Sequence, residues 1–263
     1  MKIVCIICFL LIGGGCSFKP QEHPLDPTTT QGMFLSLLSP SQEQLPVAGA
    51  SFWVRADDAS GNATTWTDRA QGNVLLGAAT SVSQAGVGGK PAVLFSGANY
   101  YKGFAVQTNV SNAMSILSVF QRFASSANSV FSGGLDPAGF QLRTSPTDKL
   151  EFLNMGVASV LVGVTNLNNF TTPYIGTATY DASGNCALFV NGTLDASALN
   201  LVSFTFDAQG SVAVGARAGG SATFNGYIAE VIAYPRAISA SDRQLLECYL
   251  SKRYAINVPF SCP

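Results

Sequence analysis

The stretch "FNGYIAEVIAYPRAISASDRQLLECYLSKRYAI", Phe224 to Ile256, changes its periodicity halfway along. As far as Tyr234 it is a run of β-branched, aromatic and small residues, the composition of a strand lying against a core. Pro235 and Arg236 close that run, and Ser239 or Ser241 then offers a side-chain oxygen able to cap a helix start. Leu245, Tyr249 and Leu250 recur at helical spacing, and Lys252 and Arg253 fall at the end, where the helix dipole favours cations. One charge, Glu230, interrupts the apolar strand. A carboxylate buried there must be paired or hydrogen-bonded, because alone it would be neutralised or strongly destabilising. Glu230 is therefore expected to be a scaffold group, held by nearby backbone or by Arg236 at the strand-to-helix corner.

Working outward, the rest of the chain from about Ser51 gives strand signals. "SFWVRA", "PAVLFSG", "SILSVFQRF", "YIGTATY", "CALFVNG" and "SVAVGARA" are short, rich in β-branched and aromatic residues, and closed by small or turn residues. "DASGN", Asp181 to Asn185, reads as a hairpin connection, with Gly184 and Asn185 able to take positive φ. Beyond it Leu188 and Val190 share one face and Phe189 takes the other. Many short strands with turns between them predict an all-β sandwich or barrel with one short C-terminal helix. Of the 263 residues 47% are hydrophobic and only 11% charged, against about 25% charged in ordinary soluble domains. Net charge is −1, and no basic run occurs, so nothing points to nucleic acid.

The N-terminus reads differently. After Lys2, "IVCIICFLLIGGGC" is too short to span a bilayer, which takes about 20 apolar residues, and it ends in small residues. Residues 1–15 read as a signal peptide, and Leu11 to Cys16 resembles the lipobox of bacterial lipoproteins, with Cys16 as the lipidated residue. Ordinary secretory cleavage near Cys16 is the alternative. Residues 16–48, with Pro20, Pro24, Pro27, Pro40 and Pro46, have the composition of an extended tether. Within it the apolar segment 33–38 has no assigned role. A membrane partner through the lipid anchor, at the outer membrane or cell surface, follows from this reading. Of the remaining cysteines, Cys248 and Cys262 lie together near the C-terminus and are expected to form a disulfide, while Cys186, in an apolar strand, is expected to be an inert buried thiol.

Five segments, in order, resemble the laminin-G-like group of concanavalin A-like lectin/glucanase domains. They are "FWVRADDASGNATTWTDRA" (Phe52 to Ala70), "GGKPAVLFSGANYY" (Gly88 to Tyr101), "SILSVFQRF", "YDASGNCALFVNG" and the Phe224 to Ile256 stretch. The resemblance implies that residues 49–263 form a jelly-roll β-sandwich of two antiparallel sheets. It also implies binding of glycans or host and matrix proteins, often beside a rim calcium ion.

Candidate chemistry is sparse. Glucanases of the resembled group set two carboxylates two residues apart on one strand. Positions 228 and 232, expected to share the face of Glu230, are both Ile, and Asp57 and Asp58 are adjacent, so an extended chain would point them apart. The sole histidine, His23, lies in the tether, leaving no base for a Ser or Cys nucleophile. The chain is accordingly expected not to be an enzyme. Asp57, Asp58 and Asn62, with Asp68 further on, are hard oxygen donors near a turn and are the calcium candidates, a solvated capping turn being the alternative. Tyr100, Tyr101, Phe140, Phe170 and Tyr174, near Asn99, Asn168 and Asn169, are the aromatics that could stack on sugar rings, although core packing competes for each. Trp53 and Trp66 are expected to be structural. The reading is a surface lipoprotein binding module for a carbohydrate or a host or matrix ligand; the alternative is a structural or assembly component of the envelope.

Overall fold

The strand signals become sixteen strands among the residues described by the computed structural model, namely 43–77, 81–104, 113–134, 139–155, 159–200 and 210–263. The expectations for residues 1–15, Cys16, His23 and segment 33–38 lie outside the described residues. In chain order the first eight strands are β1 (Phe52–Ala59), β2 (Thr65–Asp68), β3 (Val74–Gly77), β4 (Ser81–Val87), β5 (Lys90–Ser96), β6 (Tyr101–Phe104), β7 (Met114–Arg122) and β8 (Asn128–Gly133). The second eight are β9 (Phe140–Thr144), β10 (Leu150–Asn154), β11 (Ser159–Val162), β12 (Tyr174–Tyr180), β13 (Cys186–Val190), β14 (Thr193–Ala198), β15 (Ser211–Val214) and β16 (Asn225–Tyr234). One helix, α1 (Ala240–Tyr254), follows.

The two separate sheets expected from the sequence are replaced by one hydrogen-bonded path, β11-β10-β9-β8-β15-β6-β3-β2-β1-β16-β7-β12-β13-β14, with β4 and β5 joined at its side. Two strands make the path continuous. β1 pairs with β2 across one edge and with β16 across the other, and β16 uses residues 225–228 for β5 and 230–233 for β1. Strand twist accumulates along so many strands, and sheets beyond about ten strands curl. This one curls until its two end strands, β11 and β14, lie beside each other and β10 faces β13.

Alternation along each strand fills the enclosed space. Phe52, Val54 and Ala56 of β1, Leu188 and Val190 of β13, and Ile228, Val231 and Ala233 of β16 join one inner cluster with Trp66, Phe95 and Tyr101. A second cluster lies on the outer face of β16, β7 and β12, where Trp53, Leu117, Ile175, Ile232 and Tyr234 meet Leu246, Leu250 and Tyr254 of α1. Val47 joins this second cluster, with Leu45 packed against it, and the Tyr234 hydroxyl donates to the Val47 carbonyl at 2.7 Å. Packing therefore reaches back to Leu45.

Helix α1 starts where a cap oxygen is available. Ser239 has extended backbone, and its hydroxyl accepts from the Asp242 N–H at 3.1 Å. It ends at Ala255, whose left-handed φ of 53° lets its own N–H return to the Ser251 carbonyl. The buried face is Arg243, Leu246, Glu247, Leu250 and Tyr254, whereas Leu245 is exposed, so the face is turned by about one residue from the Leu245–Tyr249–Leu250 stripe. Cys248 and Cys262 form a disulfide with Cα atoms 5.3 Å apart, tying the tail to the helix. In the Asp181–Asn185 hairpin Gly184 takes φ 81°, and the Asp181 carboxylate accepts from the N–H groups of Ser183 and Asn185.

Candidate functional site

Glu230 is turned toward the helix by a bulge. In the β16–β7 ladder Ile228 faces Phe120 and Glu230 faces Val119, so Ala229 is an extra residue. Ile228 consequently points into the inner cluster, while Ala229 packs in the helix-side cluster. The expected Ile–Glu–Ile face is thus broken on its 228 side. The Oε1 atom of Glu230 accepts from Trp53 Nε1 at 2.6 Å and from the Tyr249 hydroxyl at 3.1 Å, and Oε2 accepts from the Tyr254 hydroxyl at 2.8 Å. Arg253 Nε lies 3.8 Å away. Arg236, the cation anticipated for this role, instead donates to the Ala48 carbonyl.

Burial pushes the Glu230 carboxyl up to about 7, against the opposing pull of the Trp53 and Tyr254 hydrogen bonds and the guanidinium groups of Arg253 and Arg55. Glu230 is fully enclosed, so its chemistry serves the joint between strand and helix. A second such joint lies alongside. Glu247 accepts from the Thr177 hydroxyl at 2.9 Å and pairs with Arg243, whose guanidinium lies 3.8 Å above the Phe189 ring. Burial raises the Glu247 carboxyl as well.

The calcium candidates have other partners. Asp57 Oδ2 lies 2.8 Å from Arg55 Nε and 2.6 Å from Arg253 Nη2, while Asp58 pairs with Arg69. Asn62 Oδ1 accepts from the hydroxyls of Ser60 at 2.7 Å and Thr64 at 2.8 Å and so closes its own turn. Asp68, raised by burial, accepts from the backbone N–H groups of Trp53 and Ala70. Among the described residues no three His, Cys, Asp or Glu side chains converge on one point. The acidic turn is neutralised by arginines. Cys186 is buried, and burial pushes its thiol up to about 12, far from the thiolate form.

Most of the candidate aromatics pack. Tyr101 is buried edge-on to Trp66 and Phe95 and donates to the Ala63 carbonyl. Phe140 lies among Phe131 and Phe152, and Tyr174 beside Phe120. Phe170 is half-buried under the Arg122 guanidinium, and Asn169 spends its carbonyl oxygen on Thr171. Trp53 and Trp66 are buried, as read from the sequence.

Tyr100 differs. It is half-exposed and lines a cleft of about 260 Å³ with Leu76, Gly77, Ala98, Asn99 and Lys102. The cleft forms where β3 pairs with β6: Leu76 stands opposite Lys102, and Gly77 opposite Tyr101. That approach requires glycine, since a Cβ on Gly77 would sit 2.1 Å from the Tyr100 carbonyl oxygen. On the other side the Tyr100 hydroxyl lies against Gly220, where a Cβ would come within 2.9 Å of it. The Asn99 carbonyl oxygen accepts from Ser96. The cleft therefore joins an apolar wall (Leu76, 65% exposed), an aromatic ring, an amide and an ammonium group, the mixture that binding sites for small polar ligands use. Leu76 and Lys102 escaped the sequence reading; the usable signal was the pair Tyr100-Tyr101, of which strand alternation buries one member and exposes the other.

Comparisons with known proteins agree with this architecture. Residues 109–242, slightly more than half of the chain, match the laminin-G family described as the Concanavalin A-like lectin/glucanases superfamily. No curated protein matches the sequence. Domain 4 of a GH43 extracellular arabinanase from Geobacillus stearothermophilus, in complex with arabinotriose, is similar at TM-score 0.57 and 17% identity, covering 76% of this chain and 98% of that domain. Trypanosoma rangeli sialidase in complex with sialic acid aligns at TM-score 0.58 and 16% identity over 80% of this chain, which spans 34% of the sialidase. A botulinum neurotoxin type C structure, described with two ganglioside molecules in cell entry, aligns at TM-score 0.57 and 12% identity over 77% of this chain and 51% of that one. These likenesses correct the expectation that the chain is not an enzyme. The fold occurs within an arabinanase and a sialidase, so the want of a paired-carboxylate pattern does not set this chain apart from enzymes. With its all-β fold, C-terminal helix and matching core segment, the chain belongs to the laminin-G family of the Concanavalin A-like lectin/glucanases superfamily.

Proposed function

We propose that this protein is a carbohydrate-recognition module displayed on a bacterial surface, with the wrapped sheet acting as a two-layer jelly-roll and the Tyr100 cleft as its sugar site. The observation that carries the proposal is the cleft itself: one aromatic ring left accessible while its neighbour Tyr101 is buried, flanked by Asn99 and Lys102. Sugars present apolar C–H faces edged by hydroxyls, and a tyrosine ring beside amide and ammonium donors complements both features. The ligands of similar structures, arabinotriose and gangliosides, support a glycan over a protein ligand. In this reading Cys16 carries the lipid, the segment from Cys16 to residue 44 holds the domain away from the membrane, and the outer membrane or cell surface is the location.

The test is a glycan array probed with residues 45–263 and with the Tyr100→Ala variant. Binding by the first and loss in the second, at unchanged melting temperature, supports the proposal; equal binding by both removes the cleft from it. A second reading, an envelope assembly component, is favoured by exposed apolar residues Val162, Val164 and Leu194 on or beside the adjoining end strands β11 and β14. A stoichiometric envelope protein copurifying in detergent, and lost on Val164→Asp, would favour it.

A further inference from the structure

We infer that the Tyr100 cleft selects an acidic sugar, one bearing a ring-attached carboxylate, and that Lys102 is the residue that reads the charge. The inference rests on the sugar-site reading above and gives it a chemical class. Among the described residues that line the cleft, Lys102 is the only charged one. No acidic side chain lines it to neutralise the ammonium, and Lys102 makes no ion pair among the described residues. Its neighbours across the two ladders are uncharged, Leu76 on β3 and Ala213 on β15. This contrasts with six arginines elsewhere, since Arg55, Arg69, Arg122, Arg143, Arg243 and Arg253 each face a carboxylate of the same chain. A half-buried cation with no ion pair among the described residues, set in a concavity of a chain of net charge −1, is not part of a general basic surface.

The second polar group points the same way. With the Asn99 carbonyl oxygen engaged by Ser96, its NH₂ group is what remains for a ligand. The cleft thus presents donors from Asn99 and Lys102, and the matching partner is rich in acceptors and negative. Size limits the ligand further. About 260 Å³ is at the lower edge of small-molecule sites, roughly 300–1,000 Å³, so the cleft holds one sugar ring of a longer chain. Two sources present such a ring, a terminal sialic acid and a uronic acid unit, and they share the carboxylate.

The experiment titrates the full chain, purified in detergent, with 3′-sialyllactose, trigalacturonate and lactose by calorimetry at low and high salt. The expected result is binding of at least one acidic saccharide at least tenfold tighter than lactose, weakening as salt rises. Lys102→Gln should remove that tenfold preference, so that the variant binds the acidic saccharides no tighter than it binds lactose, and Lys102→Arg should restore the preference. Which acidic saccharide binds identifies the source. Equal affinity for acidic and neutral saccharides, or an acidic preference untouched in Lys102→Gln, overturns the inference while leaving the sugar site standing, provided Tyr100→Ala still abolishes binding. Failure to bind all three overturns the inference, and failure across the glycan array overturns the sugar site with it.

Discussion

Replacing Glu230 by Gln removes a buried proton-binding site while keeping a side chain of the same shape. In the folded protein the Glu230 carboxyl is raised to about 7 by burial, whereas in the unfolded chain it titrates near 4.3. The folded state therefore holds this proton more tightly. Its contribution to stability is fully present below about pH 4 and is lost as pH rises through about 7. Integrating between the two values gives a loss of about 2–3 kcal/mol between pH 5 and pH 8. For a domain of this size that is about 5–10 °C in melting temperature. Glu230→Gln does not titrate, so its melting curve should lack that slope. Thermal unfolding of both proteins by circular dichroism at half-unit steps from pH 5 to pH 8 makes the comparison. The wild type should fall progressively relative to the variant, most steeply at about pH 5–6 and levelling off above about pH 7. Parallel pH profiles would refute the claim that burial dominates over the Trp53, Tyr249 and Tyr254 hydrogen bonds. Glu230→Ala is a harsher change, because it strands those three donors at the helix joint, and should cost about 3–5 kcal/mol at any pH in this range.

Other consequences can be measured directly. Cys248→Ser should lower stability by about 3 kcal/mol, the loop-entropy value for a crosslink between residues 14 apart, and an unchanged chemical-denaturation midpoint would show that the tail contributes nothing. Because Asp57 and Asp58 already face arginines, adding calcium or EDTA should leave the melting temperature unmoved, and a calcium-dependent rise would return these residues to metal binding. Gly77→Ala should abolish saccharide binding and lower stability, since its Cβ would press on the Tyr100 carbonyl and the backbone would have to shift; retained affinity would show that β3 does not shape the cleft.

Much of the frame was legible because local chemistry specified it. Ser239 as a cap, Asp181–Asn185 as a hairpin, and the opposed faces of Leu188 and Phe189 all follow from rules acting over a few residues. The failures share a cause at longer range. Simple alternation runs straight through Ala229, whereas the bulge there inserts one residue and moves Ile228 off the face of Glu230. The helix face was assigned to apolar residues, but the structure buries Arg243 and Glu247 as a pair, which only the partners Thr177 and Phe189 make tolerable. Closure of the sheet was hidden for the same reason: no residue of β1 or β16 announces that both edges are used. In the cleft, Tyr100 was visible as a candidate, but Lys102 acquires meaning only once β3 sets Leu76 against it.

The most direct test of sugar recognition at the Tyr100 cleft is an experimental structure with a bound saccharide taken from the array. The account predicts a sugar ring within about 4–4.5 Å of the Tyr100 ring and the Leu76 side chain, with Asn99 and Lys102 in hydrogen-bond contact. A saccharide seated on another face, with these four residues unoccupied, would contradict it.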